Sequence, residues 1–256
     1  MKETLPLNPF KEALREGKTQ IGLWCSLCSN LAAEVIAGAG FDWILLDTEH
    51  APNDLSQVMG QLQAMTGGTA TSVVRPAWND TVLIKRILDL GAQSLLVPFV
   101  QTPEEARAAV AATRYPPRGT RGVASIHRGN RFGRAKDYFQ RAHEQICVIV
   151  QIETGAALQN LEAIAAVEGV DGLFIGPSDL SAALGHLGNP AHPEVRAAIE
   201  EAGRRIRKSG KAAGILAPVE ADARHWLMNG FNVTAVGSDL NLLARTSEEL
   251  AAKFKS

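Results

Sequence analysis

Apolar residues in this chain fall in short unbroken runs, not in strict alternation with polar ones. Eight runs recur along it: IGLWCS (21–26), DWILLD (42–47), TSVVR (71–75), SLLVPF (94–99), ICVIVQIE (146–153), GLFIG (172–176), AAGIL (212–216) and NVTAVG (232–237). Strands covered on both faces, as in a parallel sheet under helices, read this way. Helical patterns separate the runs. LAAEVIAGAG and TVLIKRILDLG end on Gly40 and Gly91, placed to terminate helices. TPEEARAAVAATRY opens with a Thr cap, a Pro and two acids. HPEVRAAIEEAGRRIRKSG carries acid early and base late, as the helix dipole favours. Near the start, Asn8 and Pro9 mark the cap and first position of an amphipathic helix.

Strand and helix repeated eight times predict a closed (β/α)8 barrel of the TIM type, and the 256 residues match the usual size of one. With no break in composition, residues 1–256 are expected to form a single domain. The longest irregular stretch, 115–135, exceeds an ordinary connection, so a functional or mobile loop is expected there.

A formal net charge of −1 gives no global footprint for nucleic acid or an anionic membrane. No apolar stretch approaches the roughly 20 residues of a membrane span. Three cysteines, Cys25, Cys28 and Cys147, are too few and uneven for a disulfide framework and fit a reducing, cytoplasmic setting. Cys25 and Cys28 have redox-motif spacing but lie in an apolar run, where buried thiols are expected.

In such barrels the reactive groups stand at the C-terminal ends of the strands. Run two ends in Asp47-Thr48-Glu49-His50, run three in Arg75-Pro76, run five in Gln151-Ile152-Glu153, run six in Gly176-Pro177-Ser178-Asp179 and run eight in Gly237-Ser238-Asp239. Glu153 and Asp179 follow neighbouring strands and can converge. Two carboxylates without clustered Cys or His suit a hard divalent ion such as Mg²⁺ or Mn²⁺, though either acid would also serve as a loop cap. His50 is the histidine at a strand top and is suited to act as general base; a structural role is the alternative. Arg75 is suited to a substrate carboxylate or developing oxyanion, or to an ion pair with Asp47 or Glu49. Asp239 reads as a helix cap. Asp89 stands in a last helical turn, where the dipole disfavours an acid; either it is simply solvated there or it has a distant cationic partner. None of the runs holds a lysine in its interior, which argues against imine chemistry.

FDWILLDTEHAPND, VVRP, RYPPRGTRG, VQIET and VDGLFIGPSDLSAALGHLG, in this order and at these distances, resemble the HpcH/HpaI family of metal-dependent pyruvate aldolases, over roughly residues 8–254. The resemblance implies cleavage of 4-hydroxy-2-oxo acids to pyruvate and an aldehyde. The segment GILAPVEADARHWLMNGFNVTAVGSDL points to the 2-dehydro-3-deoxyglucarate type, giving tartronate semialdehyde. The alternatives are the 4-hydroxy-2-oxoheptanedioate type, giving succinate semialdehyde, and decarboxylation of a 2-oxo acid such as oxaloacetate. It further implies Glu153 and Asp179 as ligands of Mg²⁺, Mn²⁺ or Co²⁺, and His50 as base. Arg75 would stabilise the transition state; Gln151, Ser178 (through its backbone amide) and Asp179 would hold the 2-oxo acid. Asp89 would pair with the histidine of another subunit. The assembly implied is a homohexamer built as a trimer of dimers, with the C-terminal helix packed on a neighbour. The long loop carries Arg118, Arg121, Arg128, Arg131 and Arg134; some of them are expected near the mouth, favouring diacid substrates, with a solvated basic loop as the alternative.

Overall fold

In the computed structural model, which describes residues 5–255, eight parallel strands close in chain order into one barrel. They are β1 (Gln20–Cys25), β2 (Trp43–Asp47), β3 (Thr71–Arg75), β4 (Ser94–Val97), β5 (Cys147–Ile152), β6 (Gly172–Ile175), β7 (Ala212–Leu216) and β8 (Val233–Ser238). Each lies on a run anticipated from the sequence. The fourth stops two residues early, because Pro98 has no N–H for the ladder and Phe99 takes a left-handed conformation, φ +54°.

Alternate residues divide the hydrophobic interior in two. One set, including Ile44, Leu46, Val74, Val148 and Val150, faces the surrounding helices. The other, including Trp24, Trp43, Leu45, Val73, Leu96, Ile149 and Phe174, fills the barrel itself. Trp43 is fully buried, meets Trp24 and Phe174 edge-on and donates its indole N–H to the carbonyl of Gln20. The helix Pro9–Arg15 plugs the end where the strands begin, placing Phe10 against Trp43. Asn8 caps this helix through the amide of Lys11, and Thr102 and Glu105 form a capping box on Pro103–Thr113. Gly40 and Gly91 both take φ +98°, open to glycine at no steric cost.

One expectation needs correction and a second is narrowed. Asp239 is the first residue of the last helix, Asp239–Ala252, and Ser238 is its cap; the carboxylate of Asp239 instead accepts the amides of Ser26 and Leu27 beyond β1. The chain end thereby fixes the loop at the top of β1. The long loop does not bring Arg121 and Arg128 to the mouth of its own barrel. Arg128 bonds the carbonyls of Leu90 and Leu62, at the C-terminal ends of two helices and hence at the opposite face. Arg121 is fully buried, 2.8 Å from Asp89 and 4.6 Å from the ring centre of Tyr115.

The three cysteines are free thiols, Cys25 and Cys147 buried and Cys28 half-buried. No helix among the described residues is long and apolar enough to cross a membrane. The last helix buries only Asp239 within the chain; Leu240, Leu242, Leu243 and Leu250 are exposed along it, and Phe254 follows.

Candidate active site

The period of two that packs the barrel also builds its mouth. Inward positions on β2 run Trp43, Leu45, Asp47; those on β3 end in Val73, Arg75; those on β5 run Cys147, Ile149, Gln151 and continue to Glu153. The apolar layers thus give way to a polar layer at one end. Asp47 and Arg75 are register partners across β2 and β3, and this neighbourhood becomes a bidentate ion pair. Arg75 Nε donates to Asp47 Oδ1 at 2.9 Å and Nη2 to Oδ2 at 2.6 Å. Its Nη1 reaches Gln151 Oε1 at 3.3 Å, and the guanidinium carbon lies 5.5 Å from the Trp24 ring centre. Nη1 is also 2.8 Å from Glu49 Oε2. That contact lies off the N–H direction, and Glu49 Oε2 is buried without a hydrogen bond. Arg75 is therefore ion-paired, as one reading of the sequence allowed, and also faces the carboxamide expected to hold substrate.

Glu153 is almost wholly buried. One oxygen accepts the Phe99 amide at 2.8 Å and the other the Gln151 carboxamide at 3.1 Å. Burial is the main cause that pushes its carboxyl up to about 7; the Phe99 amide opposes this, while Asp179 and Glu49 add to it. Glu49 is also raised, by burial first, against the pull of Arg75. Asp179 is half-buried in the first turn of the helix Pro177–Ala183, and its charge acts on both glutamates. Room for this arrangement comes from Gly176: a Cβ there would lie 2.5 Å from Glu153 Oε2.

These observations fit a divalent cation. Glu153, Glu49 and Asp179 act electrostatically on one another at the end of a low-dielectric barrel, both glutamates have raised pKa values, and one buried oxygen has no hydrogen bond. A hard cation among them would relieve their mutual repulsion. The donors are all oxygen, and among the described residues no cysteine or histidine joins Glu153 and Asp179.

The remaining expected residues stand further out. His50 is exposed, its Nε2 3.9 Å from Glu49 Oε2, and its amide rests on Asp47 Oδ1 at 3.4 Å. Ser178 is exposed, beside Asp179 on the turn after β6. Asp89 lies at the far end of the barrel, with Arg121 at 2.8 Å and His127 at 3.8 Å as partners in its own chain. Lysine is absent from the strands, and Lys211 ties down the Val170 carbonyl at the opposite end. Sequence reasoning did not anticipate the Phe99 amide, the Trp24 ring under Arg75, or the Gly176 gap. Of these, only the Gly-Pro after run six left a local signal.

Comparison with known proteins gives one consistent result. The family described as HpcH/HpaI aldolase/citrate lyase matches residues 20–246. A pyruvate aldolase of Rhizobium etli is 59% identical over 250 residues, covering 98% of each chain. A 4-hydroxy-2-oxo-heptane-1,7-dioate aldolase of Klebsiella pneumoniae is 58% identical, covering 96% of this chain and 94% of the relative. The crystal structure of an HpcH/HpaI aldolase/citrate lyase family protein from Burkholderia cenocepacia superimposes with a TM-score of 0.94 at 41% identity, covering 97% of this chain and all of that one.

Proposed function

The chain belongs to the HpcH/HpaI aldolase/citrate lyase family, and on that premise we propose that it is a divalent-metal-dependent, class II pyruvate aldolase that cleaves 4-hydroxy-2-oxo acids reversibly. The observation that carries this reading is the buried carboxylate of Glu153, hydrogen-bonded to Gln151 and within the electrostatic reach of Asp179, Glu49 and Arg75. Glu153 and Asp179 would hold Mg²⁺, Mn²⁺ or Co²⁺. When bound, the ion supplies Lewis-acid polarisation of the 2-oxo group.

The chain's own residues divide the rest of the work. Gln151 and the Ser178 backbone amide bind and orient the 2-oxo acid on the turn after β6. Arg75, fixed by Asp47, offers a permanent positive charge where negative charge gathers on the 2-oxo oxygen as the C3–C4 bond breaks. His50, at the solvent edge beside Glu49, takes the proton of the C4 hydroxyl, through a water, and the aldehyde leaves. Asp89 would serve His50 of a neighbouring subunit, since within its own chain it lies at the other end of the barrel. The exposed leucines of the last helix support packing against a second copy, in a hexamer built from dimers.

Two dicarboxylic substrate types remain in view. The 214–240 segment favours the 2-dehydro-3-deoxyglucarate type, whereas the named relative at 58% identity favours 4-hydroxy-2-oxoheptanedioate. Mn²⁺-reconstituted enzyme should release pyruvate from a panel of 4-hydroxy-2-oxo acids, with product aldehyde formed in equal amount. Glu153→Ala and His50→Ala should lose the activity. Pyruvate release from oxaloacetate alone, with no aldehyde from any panel member, would replace the aldolase reading by a decarboxylase.

A further inference from the structure

Phe99 is a bulky residue in a left-handed backbone conformation, φ +54°, directly after Pro98. Such a conformation is unfavourable for a non-glycine residue and persists only where surrounding contacts enforce it. Two contacts do so. The Phe99 N–H donates to Glu153 Oε1 at 2.8 Å, and the Phe99 ring stacks on Trp78, with centres 5.6 Å apart and planes at 28°. Trp78 lies on the connection after β3 and is 54% exposed, so burial of its own surface does not explain its place. Its loop is anchored independently: Asn79 donates to the Glu105 carbonyl at 3.0 Å, on the helix that follows Phe99. The loops after β3 and β4 are thus joined above Glu153.

We propose that Phe99 is a positioning residue: its left-handed backbone, clamped by Trp78, aims the peptide N–H at Glu153 and holds that carboxylate in the one orientation that receives the cation. The positive φ turns the chain away just after the amide, so that N–H and ring find their partners together. The inference rests on the metal-site reading above and adds residues that neither touch substrate nor carry charge. Its distinctive consequence is that backbone conformation at position 99, not the aromatic ring itself, governs cation affinity. Alanine resists the left-handed region; glycine enters it freely.

Mn²⁺ alone, titrated into full-length protein by calorimetry and by the electron paramagnetic resonance of free Mn²⁺, tests this without reference to turnover. Phe99→Ala should weaken Mn²⁺ binding about tenfold, the scale of outer-shell changes at metal sites. Phe99→Gly should recover most of that loss despite lacking the ring. Trp78→Ala, an exposed change that leaves the core intact, should weaken binding with Phe99 present and have little effect in the Phe99→Gly background; Trp78→Phe should behave as wild type. Equal weakening by Phe99→Ala and Phe99→Gly, or unchanged affinity in Phe99→Ala and Trp78→Ala, would overturn the proposal. Glu153→Gln separates the two levels. If it abolishes binding while Phe99→Ala does not weaken it, positioning alone fails; if Mn²⁺ affinity ignores Glu153→Gln, the metal reading falls and takes this inference with it.

Discussion

Both oxygens of Asp47 grip the guanidinium of Arg75, at 2.9 and 2.6 Å, inside the mouth of the barrel. Both residues are buried, so removing the acid leaves the Arg75 charge away from water with only the Glu49 contact and the Gln151 oxygen to balance it. Breaking a pair of this kind costs about 3–5 kcal/mol. Asp47→Ala should lose stability on that scale in denaturant unfolding. Asp47 Oδ1 also accepts the amide of Glu49 at 3.0 Å and that of His50 at 3.4 Å. The same variant should therefore lose kcat even at temperatures where it remains folded, because the His50 loop is released together with Arg75.

The ionisation of Glu153 sets a pH dependence of stability in metal-free protein. Its carboxyl ionises at about 7 when folded, raised from 4.5 chiefly by burial. Between those values the folded state holds a proton that the unfolded state has lost. Its contribution is therefore intact below about pH 4.5 and disappears as pH rises through 7, a loss of roughly 3 kcal/mol. Unfolding followed in chelator at pH 5 and pH 8 should show a smaller difference for Glu153→Gln than for wild type. Mn²⁺ should reverse the loss at pH 8. Its affinity should fall by about tenfold per pH unit below 7, as the cation competes with one proton.

Imine chemistry should be absent. No lysine stands on the strands, and Lys211 is tied to the end remote from the mouth. Borohydride added with pyruvate should leave the mass of the intact chain unchanged, while EDTA should abolish turnover and Mn²⁺ restore it. A stable increase in mass equal to reduced pyruvate on a lysine would contradict the assignment.

Arg121 is a structural cation. It is fully buried, bonded to Asp89 and flanked by Tyr115 and Tyr138. Arg121→Ala should lower stability by about 2 kcal/mol, because a fully buried side chain packed on two tyrosine rings is removed and Asp89 loses its 2.8 Å contact. The ratio of Michaelis constants for acidic and neutral aldehydes should not change, since the side chain has no access to the mouth of its own barrel. A selective rise in KM for acidic aldehydes would place it at a substrate surface after all.

The barrel was legible because every strand is covered on both faces, which leaves a short apolar run as its trace. The period of two then carried Asp47, Arg75, Gln151 and Glu153 to one rim, and the polar ends of the runs announced it. The Phe99 amide was not legible: a backbone N–H has no letter in the sequence, and φ at position 99 is set by contacts from other loops. The roles of Asp89 and Arg121 were blurred for a related reason. A charge out of place on one helix points to a partner, but only the fold supplies it, here from 32 positions away. Asp239 misled because an acid at a helix start usually serves that helix, whereas this one serves the loop beyond β1.

Gly176 has a consequence for how this activity can be lost. One methyl group at that position would intrude on Glu153 Oε2, yet it would change no charge, break no strand pairing and leave every catalytic side chain in the sequence. On the proposed metal reading, a gene carrying alanine there would encode an intact barrel, complete in every residue usually inspected, whose Glu153 carboxylate is pushed from the place where it would meet the ion. In descendants of this fold, the identity of that single small residue is therefore the first place to look when separating silent barrels from working ones.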